Sequence, residues 1–437
     1  MDKGMFANTA GAASVGRDMY RLVAELFPIT RSITGAGFRK TLDILRRHIP
    51  LEVREVPSGT KVFDWTVPKE WNIRDAYIKD PAGRKVVDLH RSNLHVVSYS
   101  VPVRETMPLA ELKPHLHTLP AQPDWIPYRT SYYRESWGFC LSHRDLLGLQ
   151  EGDYEVVIDS SLEDGSLTFG ELFLKGERED EVLISAHACH PSLANDNLSG
   201  VGLATMLARH LASFPHRFSY RFLFIPGTIG AITWLALNEK AARRVRAGLV
   251  VTGVGDRGGL TYKKSRRGNA DVDRAAAHVL RRAERPGRLM DFSPYGYDER
   301  QFCSPGFDLP VGRLSRTPHG EYPEYHTSAD DLEFVSAEAL ADSYIKALAI
   351  LDILERNGVF VNRNPKCEPQ LGRRGLYDSP GAAEMAMLWV LNLSDGRHSL
   401  LDIAEKSGLA FPAVRQAAEA LLEAGLLEET MEREKCK

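Results

Sequence analysis

The spacing of apolar positions changes several times along the chain, and each change marks a different kind of structure. Leu22, Val23, Leu26 and Phe27 recur at helical spacing and predict a helix over 19–27; Leu42, Ile44, Leu45 and Ile49 predict a second over 37–48. From about residue 51 to 174 the pattern breaks into short β-rich pieces, such as 86–89 and 94–97, separated by Pro and Gly. The runs 154–160 and 166–174 flank Glu163-Asp164-Gly165, which predicts a hairpin. Between 181 and 356, apolar strands at 182–186, 222–225 and 248–251 alternate with helical segments at 198–211, 232–242, 270–285 and 337–356. Such alternation predicts a parallel or mixed sheet covered by helices on both faces. Residues 362–374 hold Pro, Gly and Arg and read as a linker. After it come helices at 381–391, 399–407 and 411–424 and a short strand at 426–427, with Ser399 placed as a cap. This is a helix-turn-helix of winged-helix proportions.

Composition narrows the class. A chain of 437 residues implies two or three domains. Hydrophobic residues at 43% and charged residues at 26% exclude wholesale disorder. The formal charge of -3 disfavours a globally basic nucleic-acid binder. No apolar run approaches the roughly 20 residues that span a bilayer, so no membrane partner is expected. Met1 to Arg17 lacks an apolar secretory core, and the five cysteines are scattered without a CxxC pair. A reducing, cytoplasmic setting is therefore expected, with no disulfide framework. Aromatic residues crowd the β-rich stretch (Trp65, Trp71, Trp125, Tyr128, Tyr132, Tyr133 and Trp137). They serve either as its core or as a wall over a pocket, and both readings stay open. In the C-terminal module the would-be recognition helix has Arg415 as its only cation, and Glu419 and Glu423 would face phosphates. Protein contact, with homo-oligomerisation through this module, is expected there; DNA binding is disfavoured.

The most informative stretch is Ser185-Ala-His-Ala-Cys-His-Pro-Ser-Leu-Ala-Asn-Asp-Asn-Leu-Ser-Gly200. A strand delivers His187 and His190 at its carboxyl end, and Asn195-Asp196-Asn197 opens a helix. Ligands gather at such strand ends in α/β sheets. Imidazole and carboxylate are what a catalytic zinc takes. His326, in Glu324-Tyr-His-Thr-Ser-Ala-Asp-Asp331, is a distant third imidazole. Cys189 is either a thiolate ligand or a small packed residue.

The Asn-Asp-Asn-Leu-Ser-Gly and Tyr-His-Thr-Ser-Ala-Asp segments resemble the zinc aminopeptidase clan of the bacterial leucyl aminopeptidase type. Nearly the whole chain is similar to a bacterial aminopeptidase-like group with a C-terminal winged helix. That likeness rests on Phe27-Pro-Ile-Thr-Arg-Ser-Ile-Thr-Gly35, Val62-Phe-Asp-Trp-Thr-Val-Pro-Lys-Glu-Trp-Asn-Ile73, Thr130-Ser-Tyr-Tyr133, Trp137-Gly-Phe-Cys140, the His187 to Asn197 string and Tyr297-Asp-Glu-Arg-Gln301. The resemblance implies a zinc-exopeptidase α/β fold over 16–60 and 165–357, an inserted β-rich lid domain over 61–164 and a winged-helix domain over 375–437. It implies zinc held by His187, Asp196 and His326, with His190 as a further ligand or a substrate contact.

Two departures limit that implication. The clan has Glu-Glu after the second strand, one a general base and one a metal ligand; here Phe224-Ile-Pro-Gly-Thr-Ile-Gly230 occupies the place. Gly227 stands at the base position, Thr228 at the ligand position, and Thr252 near a further Asp ligand. A mononuclear site is expected. Zinc still lowers the pKa of water towards ~7, but loss of a general base costs on the order of 10²–10⁴-fold. Three readings remain: a silent metal-binding pseudoenzyme, a substitute carboxylate among Asp298, Glu299, Glu321 and Glu324, or chemistry other than peptide hydrolysis. Glu299 is expected to manage the proton or bind an amine, and Arg300 to fix a substrate carboxylate. Arg266 and Arg267 read as a solvated face or an anion site. The expected function is a zinc-dependent aminopeptidase-like hydrolase of small peptides or amino-acid amides. The alternatives are a ligand-binding pseudoenzyme and a ligand-sensing DNA-binding regulator.

Overall fold

In the computed structural model, which describes residues 11–376 and 382–430, every residue of strands Glu181–His187, Ser219–Ile225 and Val311–Ser315 is buried. Unbroken burial, rather than alternation, is what a strand covered on both faces requires. These strands and Val245–Val251 run parallel, in the order Ser219–Ile225, Glu181–His187, Val245–Val251, Val311–Ser315. Antiparallel strands Ser166–Leu174 and Glu52–Pro57 extend one side. Thr261–Lys263, antiparallel to Val311–Ser315, and then Arg288–Met290 extend the other, giving eight strands. The fold is the expected mixed α/β sheet with flanking helices.

Helix Gly200–Leu211 starts hard against the end of Val245–Val251. A Cβ at Gly200 would lie 2.3 Å from the Val251 carbonyl oxygen, so this close approach requires glycine. The helix expected over 232–242 is two pieces, Ile229–Leu237 and Glu239–Ala242, broken at Asn238. The strand expected at 94–97 is instead a turn over Asn93–His95 followed by an isolated bridge from Val96 to Phe139.

The expected hairpin at Glu163-Asp164-Gly165 does not form. Asp153–Glu163 pairs with Glu70–Lys79 and Val103–Pro108 in a separate four-stranded antiparallel sheet, completed by Lys85–Asp88. Ser166–Leu174 pairs in the eight-stranded sheet. Both strands already have two ladder partners, so the Gly turn carries the chain from one sheet to the other. Ala76, Ile78, Val87, Phe139, Val156 and Ile158 form the core of the smaller sheet. The aromatic residues divide: Trp71 and Tyr128 are buried, Trp65 and Tyr133 exposed.

Contacts divide the chain into two compact units, Met1–Asp273 with Gly287–Ala347, and Arg274–Pro286 with Leu348–Lys437. The second holds helices Ala382–Leu393, Leu400–Ser407 and Phe411–Glu423. It also holds a three-stranded antiparallel sheet with Val359–Asn362 between Asp395–Ser399 and Leu427–Glu429. Ser399 caps its helix: its hydroxyl accepts from Asp402 N–H, and the Asp402 carboxylate accepts from Ser399 N–H. Among the described residues no helix is long and apolar enough to cross a membrane.

Arg221 is buried inside the large sheet. Arg221 donates to Glu181 at 2.6 and 3.0 Å and also pairs with Glu171. Removing one partner of a buried ion pair strands the other's charge. Arg221→Ala should therefore cost about 3 kcal/mol, measured as a lower urea midpoint; an unchanged midpoint would rule the pair out as a stabilising contact.

Candidate metal centre

The parallel pairing of Ala186 with Phe224 and His187 with Ile225 brings His187 to the carboxyl edge of the sheet, beside the Pro226-Gly227 turn. The segment Ala194–Ser199 then enters helix Gly200–Leu211 through two non-helical residues, Asp196 and Asn197. Their joining peptide is cis. Asn197 locks this entry. Its Oδ1 accepts from Gly200 N–H and Gly253 N–H at 3.0 and 3.2 Å, and its Nδ2 donates to the carbonyls of Val251 and His187 at 3.0 and 3.2 Å. Asp330 holds the other side, accepting from Asn195 N–H at 2.6 Å and Asp196 N–H at 2.9 Å.

Asp196 Oδ1 lies 3.0 Å from His187 Nε2, and its Oδ2 lies 3.0 Å from His326 Nε2. The ligand atoms of His187, His190 and Asp196 all fall within 4.8 Å of one another. His190 and His326 have ring centroids 5.2 Å apart. The structure thus brings all four expected ligand residues together. Burial alone would push the Asp196 carboxyl up, but the surrounding His190, His187 and His326 hold it well below the ordinary carboxylate range. Burial pushes His190 well below the ordinary imidazole value. A neutral buried imidazole offers a lone pair, so imidazoles and one ionised carboxylate form a donor set that fits zinc.

The other expected residues separate. Glu299 is fully buried and committed to Lys263, whose ammonium lies 2.9 Å away, with Arg313 at 4.0 Å. Arg300 lines a neighbouring cavity. Glu321 bonds Arg288 at 2.7 Å on the surface. Cys189 accepts from Gly227 N–H at 3.2 Å, and burial pushes its thiol up to about 12, which is a packed thiol and not a thiolate. Asp298 is different. Its Oδ1 accepts from Thr228 N–H at 2.7 Å, while its buried Oδ2 has no partner among the described residues. Burial raises Asp298 to about 6, against the opposing pull of His187 and the Thr228 N–H. Tyr297, one residue earlier, stacks on His187 at 5.3 Å between centroids. Thr252 is buried, its hydroxyl unpartnered.

Sequence reading did not single out Asn197 or Asp330 as the groups that hold the Asp196 segment. The signal was present, since both lie within the strings that carry the resemblance.

Residues 20–357 match the model of a family described as a domain of unknown function, DUF4910. The chain belongs to the DUF4910 family. Residues 358–429 of this DUF4910 protein match a winged helix-turn-helix model. It is 54% identical over 422 residues to a Clostridium acetobutylicum protein named "Putative polysaccharide biosynthesis protein with aminopeptidase-like domain", covering 95% of this chain and 97% of that one. A crystal structure of a "putative peptidase" from the same species is 53% identical and superposes with a TM-score of 0.94, over 97% of this chain and 98% of that one. A zinc aminopeptidase from Bacillus subtilis shares 16% identity and superposes with a TM-score of 0.57, over 77% of this chain and 94% of its own. A peptidase M28 precursor from Shewanella amazonensis shares 14% and superposes at 0.53, over 80% and 97%. The DUF4910 chain therefore has the aminopeptidase fold with a C-terminal winged helix, as the resemblance implied.

Asp330→Ala would leave the two buried N–H groups of Asn195 and Asp196 without acceptors. It should cost about 1–3 kcal/mol, seen as a lower melting midpoint, with Asp330→Asn milder because one acceptor remains.

Proposed function

We propose that this protein is a zinc-dependent, aminopeptidase-like hydrolase of small peptides or amino-acid amides, with Asp298 in place of the missing glutamate. His187, Asp196 and His326 would hold the metal, with His190 beside them. A zinc ion in such a set supplies Lewis acidity and lowers the pKa of water towards ~7. Asp298 takes the proton of the attacking water on its free Oδ2 and returns it to the leaving amine. Thr228 N–H holds the other oxygen, so the carboxylate is oriented without being neutralised.

The observation that carries this reading is the contact between Asp298 and Thr228, the residue after Gly227. It sets a carboxylate against the turn where the clan's glutamate would stand. A Cβ at Gly227 would lie 3.6 Å from Cys189 Sγ and 3.7 Å from His187 Cβ, ordinary contact distances. The position accepts a side chain, so a glutamate there would compete with Asp298 for the same task. Glu299 is the less available carboxylate, because its Oε1 is already paired with Lys263.

Purified protein should carry equimolar zinc by elemental analysis, lost in His187→Ala and in Asp196→Ala. Activity is to be screened on aminoacyl amides and dipeptides, and on N-acyl amino sugars, because the Clostridium relative is named for polysaccharide biosynthesis. Asp298→Asn should lower kcat by about 10²–10⁴-fold with metal content unchanged. Gly227→Glu should restore much of that loss in the Asp298→Asn background. Full activity of Asp298→Asn would sink the assignment.

We assign the winged-helix module to contact with a second copy rather than to nucleic acid. Arg415 is held by Glu419 at 2.8 Å on its own helix, which removes its charge from any phosphate. The full chain should run as a dimer by light scattering and should not retard duplex DNA at low salt; retardation would reverse the assignment.

A further inference from the structure

Next to the proposed centre lies a cavity of about 490 Å³, within the range of small-molecule sites. Thr228 is one of its walls, and Arg300, Gln301 and Arg266 supply its polar groups. Trp65 and Phe292 supply apolar faces. The cavity therefore begins at the residue whose N–H orients Asp298. Trp65 comes from the short hairpin of Lys61–Val62 and Trp65–Thr66, and is braced edge-on by Tyr133 at 5.3 Å.

The arginines are only partly compensated, Arg300 by the field of nearby Asp298 without a direct bond. Arg266 and Arg267 share one carboxylate, Asp308, at 3.0 and 3.1 Å. Arg300 has no ion pair or hydrogen bond with any described residue within bonding distance, and its Nε is buried without a partner. The nearby Glu299 cannot serve, because Lys263 and Arg313 hold it.

We propose that this cavity binds a carboxylate carried on an apolar body, with Arg300 as the anchor and Arg266 as the second cation, and that it selects acidic substrates for the adjoining centre. The selection rests on the hydrolase reading; the anion binding does not. A planar guanidinium takes a carboxylate by two parallel hydrogen bonds, and Trp65 and Phe292 receive the apolar part. Arg300 is a specificity residue here and moves no proton.

The test uses the full chain treated with chelator, so that no anion can ligate a metal. Benzoate and its neutral isostere benzamide are titrated by ligand-observed NMR. Benzoate should bind at least about tenfold more tightly than benzamide. Arg300→Gln should abolish that preference, and Arg300→Lys should restore only part of it, with circular dichroism checking the fold of each. Equal binding of the two probes, no binding of benzoate, or an undiminished preference in folded Arg300→Gln overturns the proposal. Hydrolysis of matched acidic and neutral dipeptides by the metal-loaded protein is read separately. If no peptide is cleaved while the benzoate preference and its loss in Arg300→Gln persist, the hydrolase reading fails and the anion site stands. If peptides are cleaved without preference for acidic ones, the hydrolase stands and the selection is refuted.

Discussion

A carboxylate with no exposed surface sits among three imidazoles, and most of the larger unit is arranged around it. Taking an ionised carboxyl out of water is costly unless charge and hydrogen bonds compensate. Both Asp196 oxygens are occupied, one by His187 and one by His326. One partner lies near the middle of the unit's sequence and the other near its end, so the buried charge ties the centre of the sheet to a remote loop. The backbone beneath is fixed as firmly, by Asp330 from one side and Asn197 from the other. Little of the Asp196 segment can move without exposing an unpaired polar group.

That constraint gives the loop around Tyr128 a structural role. The loop that carries Tyr128 pairs with the chain on either side of Thr327. Tyr128 N–H donates to the His326 carbonyl at 2.8 Å, Ser328 N–H donates to the Ile126 carbonyl at 2.8 Å, and Pro127 bridges Thr327. The Tyr128 ring then packs edge-on against both His190 and His326, each at 5.1 Å between centroids. A residue read as either core or wall thus fixes the backbone of one imidazole and the ring plane of two. The choice between core and wall dissolves: Trp71 does the first, Trp65 the second, and Tyr128 both.

The parts legible in the sequence are those whose physics is local. Buried central strands read as unbroken apolar runs, and Ser399 with Asp402 reads as a helix start. The ligand residues were legible because imidazole and carboxylate at a strand end have few structural uses. The hairpin at Gly165 was misread because turn chemistry reports a reversal, not which sheet each strand joins; that depends on partners at residues 52–57 and 70–79. Val359–Asn362 was missed because four residues of alternating burial, next to a linker-like stretch, carry too little pattern. Asn197 and Asp330 act through the backbone, and such contacts leave no period to read.

The least legible feature is the difference between two adjacent acids. Asp298 and Glu299 are both buried, and the sequence reading favoured Glu299 for the proton. Their environments separate them. Glu299 meets Lys263 at 2.9 Å and Arg313 at 4.0 Å, two cations that settle it as an ion-pair partner. Each acid keeps one oxygen without a partner among the described residues, but Asp298 meets a backbone N–H where Glu299 meets two cations. In the proposed mechanism the two acids take different tasks, ion pairing for Glu299 and proton transfer for Asp298. A glutamate at 227 would stand beside Cys189 and His187 and set a further carboxylate against the turn that Asp298 already meets. Under the proposed mechanism, the turn that lacks the clan's glutamate is served by a carboxylate from a neighbouring element.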